Sequence, residues 1–183
     1  MTLTFGLERI ETPIGQTLIV SDEAETLLAL DWADHEGRLQ AGLDRRYRPG
    51  GYRLAGLGGP SAARRAVEAY FGGELAALDR VRTEAGGTVF QEAVWQALRA
   101  IPVGRTISYG VLAGRIGRPR AVRAVGLANG ANPIPVVVPC HRVIGANGTL
   151  TGFGGGLDRK RWLLAHEGVT PMQGPCDAQA TFL

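Results

Sequence analysis

The first part of the chain has short stretches of β-branched and apolar residues, which predict β-strands. Thr17 to Val20 and Thr26 to Leu30 have this composition, and a turn at Thr12-Pro13-Ile14-Gly15 precedes them. Residues 34 to 59 are rich in Gly and Arg without a clear period, so we predict a loop there, with one further strand near Tyr52 to Leu54. The pattern predicts a small N-terminal sheet.

Further along, the apolar residues recur at helical spacing. A helix is predicted from Pro60-Ser61 to Gly72-Gly73, with its apolar face formed by Ala63, Val67, Tyr70 and Phe71. Thr88 and Gln91 have the spacing of a capping box, which predicts the start of a second helix that ends before Pro102. The buried face of this second helix is formed by Phe90, Val94, Leu98 and Ile101.

Two short helices are predicted after this one. Ser108 is suited to cap a helix over Tyr109 to Ile116, and Pro119 is suited to the first turn of a helix that reaches about Asn129. The Gly117 turn between them is compatible with a helix-turn-helix and equally with an ordinary helical hairpin. Four arginines favour the helix-turn-helix: Arg115, Arg118, Arg120 and Arg123.

These elements predict an α+β protein. Residues 75 to 87 have the composition of a linker, which divides the chain into an N-terminal sheet-plus-helix domain (1–83) and a mostly helical domain (88–170). A last helix is predicted from Leu157 to about Glu167, and residues 171–183 are predicted to form a loose tail.

The charge of the chain is unevenly distributed. Residues 88–170 contain ten Lys and Arg against three acidic residues, a net charge of +7, whereas the remaining residues carry −4. A basic half is expected of a protein that binds nucleic acid phosphates, although a solvated basic face would have the same composition.

The composition further narrows the class of protein to which the chain can belong. The 183 residues include 45% hydrophobic ones without an apolar run of membrane-spanning length, so we expect a cytoplasmic protein that is not bound to a membrane. Cys140 and Cys176 are too few for a disulfide framework. We predict no metal or other cofactor, although His35, His141 and His166 leave a zinc site formally possible.

The segment with the clearest chemical potential is Pro139-Cys140-His141-Arg142-Val143-Ile144-Gly145. A reactive cysteine requires a neighbour that favours the thiolate, and histidine is a common one. Because adjacent residues on an extended chain point to opposite sides, His141 need not contact the sulfur directly, and a water would then bridge the two groups.

Four features follow one another along the chain: a helix-turn-helix, this cysteine motif, a Gly-rich loop (residues 152–156) and Arg161-Trp162-Leu163-Leu164-Ala165-His166-Glu167-Gly168. Their order resembles that of the O6-alkylguanine-DNA alkyltransferase family. The members of this family are also called methylated-DNA–protein-cysteine methyltransferases. The resemblance is close over residues 88 to 168 and loose before them. It implies a ribonuclease H-like N-terminal unit and a winged helix-turn-helix-like C-terminal domain that binds double-stranded DNA. It also implies that the protein is a monomer when it is free of DNA.

The resemblance also implies a reaction. Such proteins flip an alkylated guanine out of the duplex and transfer the alkyl group from its O6 to their own cysteine, once and irreversibly. Cys140 would be the nucleophile, and Glu167 would orient His141, which takes the thiol proton through a water. A carboxylate in a last helical turn is commonly just solvated, but the helix dipole disfavours it by roughly 0.3–1 kcal/mol, and a partner such as His141 would account for it. His166 is predicted to lie at the surface.

Other residues acquire implied roles in the pocket and at the DNA. Asn132 would hold the active-site turn, and Tyr109, otherwise a core tyrosine, would donate to the guanine N3 side. Arg123 would replace the flipped base in the stack, or alternatively contact a phosphate. The second of the two short helices has small side chains on one side, which suits a helix that lies in the minor groove of DNA. The remaining implied substrate- or DNA-binding residues are Val143, Phe153, Gly154, Pro135, Ala121, Ala124, Gly126, Arg120 and Lys160.

Two positions depart from the family pattern, and the sequence is compatible with two other functions. Phe153 stands where the family usually has tyrosine, so the hydroxyl that helps the departing O6 is missing. Val122 is also bulkier than the alanine often found there. One alternative function is a sensor that binds alkylated bases without chemistry. The other is a cysteine hydrolase that uses Cys140, His141 and Glu167, which would leave the arginines unexplained.

Overall fold

The computed structural model describes residues 2–170 of the chain, so the predicted tail lies outside the described residues. The described part contains a four-stranded sheet, a two-stranded sheet and six α-helices. This mixed content confirms the predicted α+β class. No helix in the described part is long and apolar enough to cross a membrane.

The larger sheet consists of β1 (Leu3–Ile10), β2 (Thr17–Ser21), β3 (Leu27–Trp32) and β4 (Tyr52–Ala55), in the order β3-β2-β1-β4. The β1–β2 and β2–β3 pairs are antiparallel, whereas β4 runs parallel to β1. Every residue of β2 and β3 is buried, because both faces of the sheet are covered. The strands predicted near Thr17, Thr26 and Tyr52 are confirmed.

The prediction of a loop over residues 34 to 59 is wrong for the first half of this segment. Helix α1 spans Glu36–Tyr47 and packs against β3. It buries Leu39 and Leu43 in a small core with Phe5 and Leu18 of the sheet. The stabilisation comes from this packed stripe, since the other positions of the helix are mostly polar or glycine.

Helix α2 (Ala62–Phe71) confirms the prediction made from Pro60-Ser61. The Ser61 side chain accepts a hydrogen bond from the Arg64 backbone N–H at 3.0 Å, which caps the helix. The Ser61 N–H in turn donates to Glu8 Oε1 of β1 at 3.1 Å. The start of α2 is therefore tied to the sheet.

The segment predicted to be a linker pairs with the sheet. Leu27 donates its N–H to the Arg82 carbonyl at 2.9 Å, and Glu84 donates to the Leu27 carbonyl at 3.0 Å. One hydrophobic cluster also contains buried residues from both sides of the segment, such as Trp32 and Tyr70 before it and Val94 and Leu98 after it. The two parts of the chain therefore share a core.

Three helices follow. Helix α3 (Val89–Arg99) begins with the predicted capping box of Thr88 and Gln91, and Ser108 caps α4 (Tyr109–Arg115). Helix α5 (Val122–Gly130) begins later than predicted. Pro119 lies in the preceding turn, which is closed by a hydrogen bond from the Ala121 N–H to the Arg118 carbonyl at 2.8 Å.

The cysteine motif is placed beside α4 by a short parallel sheet that was not predicted. Strand β5 (Ile107–Ser108) pairs with β6 (Val143–Ile144), so the residues just before α4 lie against the second half of the motif. The last helix, α6 (Leu157–His166), has Glu167 as its C-cap, which agrees with the predicted end at about Glu167. Gly168 has a φ of +78°, the left-handed conformation that commonly ends a helix.

Candidate active site

Cys140 lies in a buried 3-10 turn (Cys140–Arg142). Its backbone N–H donates to the Val138 carbonyl at 2.8 Å, and the residue is only 4% exposed. Burial raises the pKa of the Cys140 thiol, although a hydrogen bond with Asn132 opposes the shift. At neutral pH the resting group is therefore a thiol, and a base must remove its proton before it can act as a nucleophile.

The turn before the cysteine is held by Asn132. Its side-chain Nδ2 donates to the Val138 carbonyl at 2.8 Å, and its Oδ1 accepts from the Ile134 N–H at 3.0 Å. Within this turn Pro135 is buried and Val136 has a φ of +73°. A β-branched residue in this conformation costs on the order of 1–3 kcal/mol, so the surrounding contacts impose the backbone path that leads to Cys140.

His141 contacts Glu167 as the resemblance implies. His141 Nε2 lies 3.0 Å from Glu167 Oε1, and both side chains are fully buried. Because an ionised carboxylate only accepts hydrogen bonds, Nε2 carries the proton and Nδ1 has the free lone pair. Nδ1 is buried and has no partner among the described residues. Burial lowers the pKa of His141, so the imidazole is neutral and able to act as a base.

Glu167 accepts hydrogen bonds from two further residues. Arg142 donates Nε to Oε2 and Nη2 to Oε1, both at 2.8 Å, and the Tyr70 hydroxyl donates to Oε1 at 2.9 Å. Burial alone would raise the pKa of Glu167, but the hydrogen bonds from His141 and Arg142 outweigh it and lower the pKa to about 2. The alternative that Glu167 is merely solvated is thus excluded, because the carboxylate is buried and hydrogen-bonded.

The prediction that His166 lies at the surface is also wrong. His166 is half-buried, and its ring stacks on Trp162 with centroids 4.7 Å apart. Its Nε2 lies 2.7 Å from the Tyr70 carbonyl oxygen. His166 therefore helps to hold the end of α6 against α2.

Tyr109 lies half-buried at the start of α4 and faces α5. A Cβ atom placed on Gly126 would meet the Tyr109 ring at 3.9 Å, so this glycine packs closely against the tyrosine. Burial raises the pKa of Tyr109, which keeps its hydroxyl protonated as a hydrogen-bond donor. On the same helix as Gly126, Ala124 is exposed, and Ala121 just before the helix is half-buried.

The Gly-rich loop approaches the N-terminal sheet. The Phe153 ring packs edge-on against Trp32 with centroids 5.9 Å apart, and a Cβ atom on Gly155 would overlap the Trp32 ring. The carbonyl of Gly154 accepts a hydrogen bond from Arg38, whose guanidinium also pairs with Asp31 at 2.6 Å. Residues of β3 and α1 therefore position the loop that carries Phe153 and Gly154.

Lys160 does not contact DNA directly, because it is fully buried in α6. Its ammonium donates to the Val143 carbonyl at 2.6 Å and to the Thr151 carbonyl at 2.7 Å. Burial lowers the pKa of Lys160 to about 8. The side chain instead joins strand β6, within the cysteine motif, to the segment that leads into the Gly-rich loop. The carbonyl of Val143, a residue that the resemblance implies to bind substrate or DNA, thus already accepts one hydrogen bond.

The arginines of the predicted helix-turn-helix point to solvent. All four are exposed, and none forms an ion pair within the described part of the chain: Arg115, Arg118, Arg120 and Arg123. Their positive charges are therefore free to bind phosphates.

Comparison with known proteins identifies the family. The family model described as "6-O-methylguanine DNA methyltransferase, DNA binding domain" matches residues 89–169. The methylated-DNA–protein-cysteine methyltransferase of Salmonella typhimurium is 52% identical over 161 residues, which cover 88% of this chain and 94% of that protein. The chain belongs to the methylated-DNA–protein-cysteine methyltransferase family.

Solved structures agree with this assignment to the methyltransferase family. The Mycobacterium tuberculosis O6-methylguanine methyltransferase superposes with a TM-score of 0.73 at 40% identity, over 94% of this chain and 96% of that one. A structure of the Mycobacterium tuberculosis protein in complex with DNA gives a TM-score of 0.71 at 42% identity, over 89% of this chain and 93% of that one.

Three residues of this methyltransferase site were not predicted from the sequence. Arg142 stands within the cysteine motif, so its position was a usable signal, but nothing local indicates that it contacts Glu167. Arg38 was hidden by the wrong loop prediction. Tyr70 was predicted only as part of the apolar face of α2, and its hydroxyl contact with Glu167 spans 97 residues of sequence.

Proposed function

We propose that this protein repairs DNA by transferring an alkyl group from O6 of guanine to the sulfur of its own Cys140, in a single irreversible turnover. The observation that carries the proposal is the buried Cys140 next to a neutral His141 whose Nε2 is held by Glu167. Membership of the methyltransferase family and the DNA complex of the Mycobacterium tuberculosis relative support double-stranded DNA as the partner.

The first step is the removal of the thiol proton. The free lone pair of His141 Nδ1 accepts this proton through a bridging water, and the imidazolium that forms is stabilised by the negative charge of Glu167. Arg142 keeps Glu167 ionised, so the carboxylate orients the imidazole without taking the proton from it.

The transfer itself is an in-line displacement. The thiolate electron pair forms a bond to the alkyl carbon as the bond between that carbon and O6 breaks, and the electrons of the broken bond pass to guanine. The proton taken from the thiol leaves through His141 and the bridging water and neutralises the departing guanine. The products are a thioether at Cys140 and unmodified guanine, and the stability of the thioether explains why the protein acts only once.

A flipped base would contact several groups around the cysteine. The Tyr109 hydroxyl donates to the guanine N3 side, and the Gly154 N–H approaches O6 as negative charge develops there. The remaining lone pairs of the Cys140 and Val143 carbonyls accept from the exocyclic amine. Asn132 and Pro135 shape this pocket through the turn that precedes the cysteine.

Helix α5 would face the minor groove of the duplex. Ala121, Ala124 and Gly126 give this side of the helix little volume, and Arg120 and the neighbouring arginines bind phosphates without reading sequence. Arg123 is the second residue of α5 and is exposed. Its side chain enters the base stack of the duplex and fills the space that the flipped base leaves. A lesion can then be found in any sequence, by a protein that is monomeric when free.

The experiment that tests this function is an intact-mass measurement with peptide mapping after incubation with duplex DNA that contains O6-methylguanine. We expect one added methyl group on Cys140 and a stoichiometric loss of methyl from the DNA. Bound but unmodified protein would support the sensor function instead. Catalytic turnover of small esters without DNA methyl loss would support the hydrolase function.

Replacing Phe153 with tyrosine is expected to raise the single-turnover transfer rate by roughly tenfold, because a hydroxyl at this position supplies a hydrogen bond to the departing O6. The rate is measured by rapid quench at saturating DNA. The Phe90→Tyr variant adds the same hydroxyl on α3 and is expected to leave the rate unchanged. A rate for Phe153→Tyr no higher than that of the wild type would show that the leaving group needs no such donor.

A further inference from the structure

Glu167 receives one hydrogen bond from outside the helical half that contains the cysteine. The donor is the hydroxyl of Tyr70, which lies on α2 of the sheet-containing half and approaches Oε1 at 2.9 Å. This is the same carboxylate oxygen that His141 Nε2 contacts at 3.0 Å. Tyr70 and His141 therefore share an acceptor atom in a fully buried site.

The position of Tyr70 is fixed at several points. Its ring is fully buried in the core shared by the two halves, and its carbonyl oxygen lies 2.7 Å from His166 Nε2. The start of α2 is anchored to β1 through Ser61 and Glu8. Tyr70 thus contacts two consecutive residues at the end of α6: its carbonyl oxygen contacts the His166 ring, and its hydroxyl contacts Glu167.

The hydroxyl has a chemical effect as well as a structural one. Burial, and then the charge of Glu167, raise the pKa of Tyr70, so at neutral pH the hydroxyl is protonated and acts as a donor. Donation to Oε1 withdraws negative charge from the oxygen that His141 contacts. A carboxylate with less charge on that oxygen stabilises an imidazolium less strongly.

We propose that Tyr70 is a positioning residue of the proton relay, which orients Glu167 and limits how strongly His141 holds a proton. This inference rests on the proposed alkyl transfer, in which His141 is the base. It gives the N-terminal half a part in the chemistry beyond support of the fold.

Other charged and titratable groups also face His141. Its own turn contributes Cys140 and Arg142, and the last helix contributes Lys160 and Glu167. Arg142 and Lys160 disfavour the imidazolium and Glu167 favours it. Of these groups, only Glu167 is contacted by the Tyr70 hydroxyl, so a change at Tyr70 acts on His141 through the shared oxygen Oε1. A shift in the pH dependence of a Tyr70 variant therefore reports on the tyrosine hydroxyl.

The test compares the pH–rate profile of single-turnover methyl transfer in the wild type and in Tyr70→Phe. Transfer requires a neutral His141, so the rate falls as pH decreases through the pKa of this residue. Loss of the hydroxyl returns charge to Oε1 and raises that pKa, so the acid limb is expected to move upward by about 0.5–1 pH unit. Direct titration of the His141 ring by NMR is expected to show the same shift.

The matched control is Tyr52→Phe. The Tyr52 hydroxyl is also mostly buried and donates to a carboxylate, Asp44 Oδ1, at 2.9 Å, but it lies on β4 and does not contact the relay. We expect a similar decrease in Tm for both variants and a shifted acid limb only for Tyr70→Phe. Superimposable profiles for the two variants and the wild type would reduce Tyr70 to a structural residue.

A second variant keeps the test valid if Tyr70→Phe does not fold. 3-Fluorotyrosine at position 70 preserves the ring and makes the hydroxyl a stronger donor, so the acid limb is expected to move downward, opposite to the change in Tyr70→Phe. An unchanged or upward limb would contradict the inference. Failure of the wild type to alkylate Cys140 would instead contradict the proposed function, so the two failures are distinguishable.

Discussion

Cys140→Ser is expected to abolish alkyl transfer, by at least about 10³-fold, while binding to O6-methylguanine DNA is retained. A serine hydroxyl has a far higher pKa than a thiol, so the His141–Glu167 pair cannot generate the corresponding nucleophile at neutral pH. The side chains are similar in size and the site is buried, so the variant should fold with a Tm close to that of the wild type. Rapid-quench transfer and a DNA-binding titration measure the two effects separately.

Cys176→Ser is the matched control, because Cys176 is the second cysteine of the chain. It is expected to transfer the methyl group at the wild-type rate and to carry it on Cys140. Methylation of the Cys140→Ser protein, at any residue, would mean that Cys140 is not the acceptor.

Glu167→Gln is expected to have the second-largest effect, on stability and on transfer together. A pKa lowered from 4.5 to about 2 corresponds to about 3 kcal/mol of stability at neutral pH. The glutamine also leaves the Arg142 guanidinium, only 6% exposed, without its counter-ion. We expect the free energy of unfolding to decrease by about 3 kcal/mol and the transfer rate to fall on the order of 100-fold.

The pH dependence of stability gives this prediction an independent measurement. The folded-state pKa of Glu167 is below its unfolded value, so its contribution is complete above pH 4.5 and is lost as pH falls towards 2. Urea titrations should therefore show a shallower acid decrease for Glu167→Gln than for the wild type. Glu23→Gln, at an exposed carboxylate, should behave as the wild type in both assays. Equal decreases in all three proteins would exclude the buried carboxylate as the source.

The helices that surround the site could be predicted because their start signals are local. Ser61, Thr88 and Ser108 each precede an apolar stripe at helical spacing, and each side chain caps a helix by accepting a hydrogen bond from the backbone N–H three residues later. Such signals depend only on neighbouring residues. Pro119 shows the limit of this reasoning, because a proline that suits a first helical turn also suits the turn before a helix.

Helix α1 was missed although a signal for it exists. Leu39, Leu43 and Tyr47 recur every four residues, but the positions between them are mostly polar residues or glycine. The helix forms because its narrow apolar stripe packs on β3 and the sheet. The same error hid Arg38, which reaches the Gly154 carbonyl only when α1 lies against that sheet.

The sequence by itself determined the α+β class, the capped helices and the cysteine motif that carries the family resemblance. These features are encoded by residues close together along the chain. The tertiary structure decided that Glu167 is held by Arg142 in the cysteine motif and by Tyr70 on α2. It also showed that Lys160, which the resemblance implies to bind substrate or DNA, lies in the interior. Burial and hydrogen bonding between distant segments set the proton affinities of the relay, and neither can be inferred from residue type alone.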